Sequence, residues 1–473
     1  MLSACKNKIV FVFVILISIS IQSKEMTEEE KKKSRYEKLE LFNKVLYLIE
    51  NQYYREVDTE KLIQGAVNGM MSTLDPHSAF LDKEVFLKMQ EETSGEFGGL
   101  GIEVTQKDGV LVIITPIEDS PADKAGIKPG DKIVEINHES MVGVSLEKAI
   151  DKLRGKTKSK IILGISREGV EGVKNVEIIR EIVKLKPVKF ELLNDGYGYV
   201  RLAQFQKNSG KYIIDAIKEM KENLGKEPLK GLVLDLRSNP GGLLDEAVEV
   251  SSIFLKEGIV VSTEGRDPKN KEIRYVKKTG HKEFDLPLVV LINGSTASAS
   301  EIVSGALQDA KRAIIMGTQS FGKGSVQTVA KVEENIGVKL TIAQYMTPSG
   351  RKIQAVGIKP DVIIDEAEGS WLERNRKESS LIREKDLKNH LTATIETEEE
   401  KKLREEEEKE DRLARSERFK ILRDKKKKLK VKESASENED EEYSKKFEPK
   451  NDYQVNQAVN YLKNIGLIKG LKI

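Results

Sequence analysis

Four serines, Ser295, Ser298, Ser300 and Ser304, lie within ten positions of the stretch "LPLVVLINGSTASASEIVSGALQDAKRAIIMGTQSFGKGSVQ", Leu286 to Gln327. A short apolar run stops at Asn293 and the chain turns through small residues. A helical pattern begins near Ser298, with Ile302, Val303, Ala306 and Leu307 on one face. A serine at such a strand-to-helix junction can sit beside backbone N–H groups that hold a developing oxyanion. Capping the helix is the other use of these serines. Glu301 falls in the first turn, where negative charge suits the helix dipole.

A hydroxyl nucleophile needs a base. Lys323, held between Gly322 and Gly324, is a candidate. A free lysine, with a pKa of ~10.4, stays protonated at neutral pH. Burial between the apolar runs "RAIIMG" and "VKLTIAQY" would lower it by ~3–4 units. A phosphate-binding loop is the competing reading, but "GxxxxGK[ST]" is absent. A third piece is "VLDLRSNPGG", a strand ending at Leu236 followed by a tight turn. There Gly241 or Gly242 can present an unhindered N–H to a cleft, or simply make the turn.

Composition narrows the alternatives. Cys5 is the only cysteine, so neither an internal disulfide nor a cysteine zinc site can form. His77, His138, His281 and His390 lie in no metal-ligand spacing, so the base of a hydrolase is not expected among them. A net charge of +2 with 5% aromatic residues gives no clustered basic face and no stacking platform, so no nucleic-acid partner is expected.

The elements that must position these residues are legible along the chain. Lys6 and Lys8 precede the apolar run Ile9 to Ile21, short for a span and right for a signal-peptide core, with Ser20 or Ser23 near a cleavage site. An uncleaved anchor is the alternative. From Met26 to about Ser94 the pattern is helical, with Leu39, Phe42, Val45, Leu46 and Ile49 on one stripe and "LDPHSAFLD" as a cap for a third helix. From Gly95, "GIEVTQKDGVLVIITPI" reads as a hairpin turning at Asp108-Gly109. From about Lys186 to Val362 buried strands alternate with helices, which predicts a mixed α/β layered fold. From Glu366 to about Lys450 the composition collapses into charge, a solvated helix or disorder. Periodicity returns at Val455, Ala458, Val459, Leu462 and Ile465, a helix fit to dock on the body or on another subunit.

"DLRSNPGG", "STASASE" and "SFGKGSVQ", in this order and with 25 residues from Ser298 to Lys323, resemble the carboxyl-terminal processing (tail-specific) peptidases, serine proteases of the serine–lysine type. The likeness runs from about Lys38 to Asp361. It implies Ser298 as nucleophile, Lys323 as general base and Gln327 as the residue that orients the lysine. It also implies an oxyanion hole from the N–H of Ala299 and of Gly241 or Gly242, with no metal or cofactor. "FGGLGI", "SPADKAGIKPGDKIVEINHE" and "SLEKAIDKLRG" resemble the family's PDZ domain. That implies a carboxylate cradle at Gly99, Leu100 and Gly101, strand addition at Ile102, and Arg167 at a position tied to activation in some relatives.

The expected partition is a signal or anchor at 1–23, a helical region at 24–94 and a β-barrel-like PDZ insert at 95–184. The α/β protease core follows at 185–363, then a charged segment at 364–450 and a final helix at 451–473. The expected function is an exported envelope endopeptidase that engages substrate C-terminal tails, in the periplasm or on the outer face of the cytoplasmic membrane. A catalytically silent PDZ scaffold is the rival. Further candidate partners are a second copy through the N- and C-terminal helices, an adaptor protein, and the membrane through the N-terminal segment.

Overall fold

The structure is a computed structural model. It describes residues 28–107, 109–117, 119–267, 269, 271–365, 382–387, 389–392 and 448–470. The signal-peptide reading and most of the charged segment lie outside these residues, as does Asp108 of the expected hairpin turn. Among the described residues no helix is long and apolar enough to cross a membrane.

The chain divides into two compact units, residues 1–69 and 70–473. The first holds the helix Glu28–Gln52 and the start of the helix Thr59–Ser72. Of the expected apolar stripe, Leu39, Phe42 and Val45 are 53%, 40% and 47% exposed, while Leu46 and Ile49 are half-buried.

The second unit is built on a six-stranded sheet. In spatial order its strands are Val188–Leu192, Tyr197–Leu202, Gly231–Asp235, Leu288–Ile292, Ile314–Gly317 and Val362–Ile363. All neighbours are parallel except the first pair. Alternate side chains face opposite ways along a strand. Val200, Leu202, Leu232, Leu234, Val290, Ile292 and Ile315 share one core with residues of the helices Ser209–Leu224, Leu244–Phe254 and Ala299–Asp309. Tyr199, Val233, Val289, Leu291 and Met316 share the other with Val455, Ala458, Val459 and Leu462 of the helix Tyr453–Gly470. Both faces are covered, which explains why these strands read as unbroken apolar runs.

A second sheet contains Ile336–Met346, which pairs with Ala79–Leu81, Ile259–Gly265 and Ser325–Glu333. Residues between Ile102 and Ile179 form a separate antiparallel sheet with its own core, and Ile102–Lys107 lies at its edge. A short pair, Glu96–Gly99 with Glu181–Lys184, closes the base of that insert.

The charged segment is not wholly solvated. Within it Glu384 is fully buried, which corrects the expectation drawn from composition. One glutamate with specific partners can be buried inside a stretch whose average composition builds no core.

Candidate active site

The strand Leu288–Ile292 ends at Asn293, and the turn that follows is laced to the neighbouring turn at 236–241. Thr296 Oγ1 donates to Leu236 O at 2.9 Å, and Ala297 N–H to Asn239 O at 3.0 Å. Ser238 N–H donates to Asn293 Oδ1 at 2.9 Å. The four serines separate here by what they bond. Ser295 faces solvent. Ser300 Oγ donates to Asn239 O at 3.1 Å and Ser304 Oγ to Ser300 O at 2.7 Å. Ser298 alone combines a helix N-cap position with strained backbone, φ 57° and ψ −117°. Such a conformation costs ~1–3 kcal/mol in a residue with a Cβ and is held only by its surroundings. Ser298 is 8% exposed, and its side chain shares a hydrogen bond with the Tyr345 hydroxyl, which burial pushes up to about 12.

What holds Ser298 is Glu301, three residues on and fully buried. Its Oε2 accepts from Ser298 N–H at 2.7 Å and from Lys323 N–H at 3.0 Å. Its Oε1 accepts from Ser320 Oγ at 2.6 Å and from Gly322 N–H at 2.8 Å. Burial raises the Glu301 carboxyl to about 7, against the pull of those four donors. One carboxylate therefore ties the backbone of the serine turn to the backbone of the lysine loop.

The loop is clamped from its other side as well. Gly324 N–H donates to Gln354 Oε1 at 2.9 Å, and Tyr345 N–H to Gly324 O at 2.6 Å. A Cβ at Gly324 would stand 2.2 Å from Gln354 N, so only glycine permits this approach. Lys323 itself is largely withdrawn from water. Burial, then the Lys339 ammonium, lowers its pKa; the charges of Glu384, Glu301 and Asp75 act in the opposite sense.

The two glycines of the neighbouring turn differ. Gly241 N–H is committed to Asn239 Oδ1 at 2.9 Å. A Cβ at Gly241 would stand 2.7 Å from Ser298 Cβ and 2.9 Å from Ala299 N, so its bare Cα lets the turn close on the serine. Gly242 forms a parallel bridge with Phe205, in which Phe205 bonds Gly241 O and Leu243 N–H at 2.8 Å each. In a parallel bridge the central residue's own N–H points the other way, so the Gly242 N–H is directed away from Phe205.

Gln327 lies on the strand Ser325–Glu333, and its Nε2 donates to Ser325 Oγ at 2.9 Å and Thr341 Oγ1 at 3.4 Å. Thr341 Oγ1 in turn donates to Asp75 Oδ1 at 3.0 Å. The structure thus sets Gln327 in a network around the lysine loop.

A strained serine, a desolvated lysine and backbone donors at a helix start suit acyl transfer. Comparison with known proteins supports that chemistry. The chain is 46% identical over 331 residues to the carboxy-terminal-processing protease of Bartonella bacilliformis, spanning 70% of this chain and 76% of that one. It is 36% identical over 330 residues to carboxy-terminal processing protease CtpA of Bacillus subtilis, covering 70% and 69% of the two chains. The family model for peptidase family S41 matches residues 196–364.

This chain belongs to the carboxy-terminal processing peptidases. It is a serine peptidase with a mixed α/β core and a PDZ domain. The PDZ family model matches residues 88–187, and a model for the activating protease CtpB N-terminal domain matches residues 11–85.

In the PDZ domain of this peptidase, the loop before the edge strand turns its carbonyls inward. Leu100 O accepts from Ala122 N–H at 2.9 Å, and Gly101 O from Ile117 N–H at 2.8 Å and Ser120 Oγ at 3.1 Å. Gly99 pairs with Glu181, and Ile102 opens the edge strand. Arg167, the position the resemblance ties to activation, is held within the domain. Its Nε and Nη2 hold Asp131 at 2.6 and 2.7 Å, and Nη2 also reaches Gly126 O at 2.9 Å. Its fork braces the domain's own 126–131 loop.

Sequence reasoning passed over several residues of the site. Glu301 had a signal, since serine followed three residues later by glutamate is a capping box, yet its reach to Ser320, Gly322 and Lys323 had none. Tyr345, Gln354 and Glu384 carried no local signal. Nor did the pairing of Arg237 with Asp452 and Gln454 (Nη1 at 3.0 and 2.7 Å), which fastens the last helix to the "DLRSNPGG" turn.

Proposed function

We propose that this peptidase cuts peptide bonds by a serine–lysine mechanism, with Ser298 as nucleophile and Lys323 as general base. Ser298 Oγ attacks the scissile carbonyl carbon while its proton passes to Lys323 Nζ. The oxyanion is held by the N–H groups of Ala299 and Gly242, since the Gly241 N–H is already engaged. Collapse breaks the C–N bond, and Lys323 returns the proton to the leaving amine. Water then attacks the acyl-enzyme, again losing its proton to Lys323, and the acid product leaves as Ser298 is restored. Gln327, through Ser325 and Thr341, keeps the strand under the lysine in register.

The observation that carries this reading is the shared acceptor. Glu301 fixes the serine and lysine backbones to one carboxylate. A scaffold that only bound C-termini would gain nothing from a strained, buried serine so held.

The remainder of the reading concerns where and on what it acts. The PDZ loop and open edge strand favour protein substrates entered by their C-terminal tails. The apolar run Ile9 to Ile21 favours export to the bacterial envelope, with cleavage or membrane attachment there. The uncovered stripe of Leu39, Phe42 and Val45 favours pairing with a second copy or an adaptor.

The test is Ser298→Ala. It is expected to lose on the order of 10⁴–10⁶-fold in kcat while keeping its melting profile. Near-normal turnover by that folded variant would sink the assignment.

A further inference from the structure

Residues 382–387 and 389–392 lie beyond the part of the chain matched as peptidase, yet they are built into the site. Glu384 N–H donates to Phe321 O at 3.3 Å, two residues before Lys323. Its Oε1 accepts from Gln354 Nε2 at 2.9 Å. The oxygen of that same amide holds Gly324 N–H, one residue after Lys323. Glu384 therefore brackets the lysine loop from both ends. Its carboxylate also meets His77 Nε2 at 2.8 Å. The rest of the segment is tied down at three points. Gln354 Nε2 donates to Leu391 O at 3.0 Å, Gln344 Nε2 to Thr392 O at 2.9 Å, and Asn389 Nδ2 to Ser72 O at 3.2 Å.

We propose that Glu384 is a positioning residue that supplies a counter-charge to the Lys323 ammonium, making the short segment that carries it a built-in brake on the peptidase's own base. The inference rests on the reading of Lys323 as the base. A buried carboxylate near an ammonium favours the charged form, and a lysine kept charged cannot take the serine's proton. Four of the elements around Lys323 bring a charge to it. Lys339 comes from the strand Ile336–Met346, Glu301 from the serine helix, Asp75 from the turn at 72–78, and Glu384 from the added segment. Glu301 accepts from four donors and Asp75 from the Ser78 and Thr341 hydroxyls and the His77 and Ser78 N–H groups. Both belong to the frame of the site. Glu384 is the carboxylate delivered from outside the peptidase core, with His77 as its clasp, so displacing the segment removes its charge without dismantling the serine–Glu301–lysine tie.

The experiment is a pH–rate series on the full chain with a short unstructured peptide, comparing wild type, Glu384→Gln and Glu384→Asp. Loss of the carboxylate is expected to move the acid limb of kcat/KM to lower pH. Activity at a fixed pH on that limb rises by about tenfold for each unit moved. Glu384→Asp keeps the charge but withdraws it by one methylene, so its limb falls between the two; it reads the same shift should the glutamine variant not accumulate folded. Carbon-13 labelling of the lysine ε position in a Ser298→Ala background follows the Lys323 titration without needing turnover. A limb and a lysine titration that stay where wild type has them overturn the brake, whatever happens to the plateau rate. An active Lys323→Ala enzyme would instead remove the underlying reading. An inactive Lys323→Ala beside an unmoved Glu384→Gln limb removes only the brake.

Discussion

Ser298 and Lys323 donate their backbone N–H groups to one oxygen, Glu301 Oε2, at 2.7 and 3.0 Å. Residues 25 apart in the chain are thereby held to a single point. Rotamer freedom in either side chain then starts from a fixed Cα, which is what the proposed nucleophile and base would need before any substrate arrives.

That relationship gives a stability prediction with a definite sign. The folded Glu301 carboxyl titrates at about 7, above its ordinary 4.5. The folded state therefore holds the proton more tightly than the unfolded chain between those values. The contribution to stability is fully present below pH 4.5 and is lost as pH rises through 7, a change on the order of 3 kcal/mol. Urea unfolding across this window should show the slope in wild type and lack it in Glu301→Gln. The glutamine must also turn an NH₂ toward two donors, so it should lose ~2–3 kcal/mol at neutral pH. An unchanged slope in Glu301→Gln would place the titration elsewhere.

Gly241→Ala tests the contact between the two turns. The added Cβ meets Ser298 Cβ at 2.7 Å and Ala297 O at 2.8 Å, on a backbone with φ 99°. These neighbours are the serine turn itself and cannot yield without moving it. The expected outcome is a kcat/KM lower by at least ~10²-fold, because a shift of about 1 Å at the nucleophile costs that much. Steady-state kinetics beside a thermal melt decide it; wild-type turnover would show that the turns are not coupled.

The proposed base should reveal itself in the pH dependence of wild type. Burial and Lys339 hold Lys323 below its ordinary value, so activity should rise with pH along one ionisation centred below ~10.4. Lys323→Arg should be inactive throughout, since guanidinium keeps its proton. Gln327→Ala should lose less than Lys323→Ala, because it removes support and leaves the acceptor. If the arginine variant cleaves, the proton goes elsewhere, and His77, paired with buried Glu384, is the next candidate.

Substrate tails test the PDZ loop. With the Leu100 and Gly101 carbonyls engaged by the 117–122 turn, a free carboxylate is the natural partner for the loop's N–H groups. Amidating a peptide's C-terminus should weaken binding by about 1–3 kcal/mol, the range for charged hydrogen bonds. Equal cleavage of amide and free acid would reject tail recognition at this loop.

The sequence by itself determined the local parts of this peptidase. An apolar run, small residues and a 3.6-residue pattern predict the junction at Ser298, because strand, turn and helix each follow from neighbours in the chain. The glycines around Lys323 and the spacing of Val455, Ala458, Val459 and Leu462 are legible for the same reason, and the structure buries those four side chains. Tertiary structure decided the pairings. Arg237 meets Asp452 across 215 positions and His77 meets Glu384 across 307. Arg167 meets Asp131 across 36 positions, and Leu39, Phe42 and Val45 of the first helix stay exposed. Glu384 shows the physical reason most plainly. Its surroundings in the chain are charged and average to solvated, but its burial depends on Phe321, Gln354 and His77, which only the stacking of the layers brings to it.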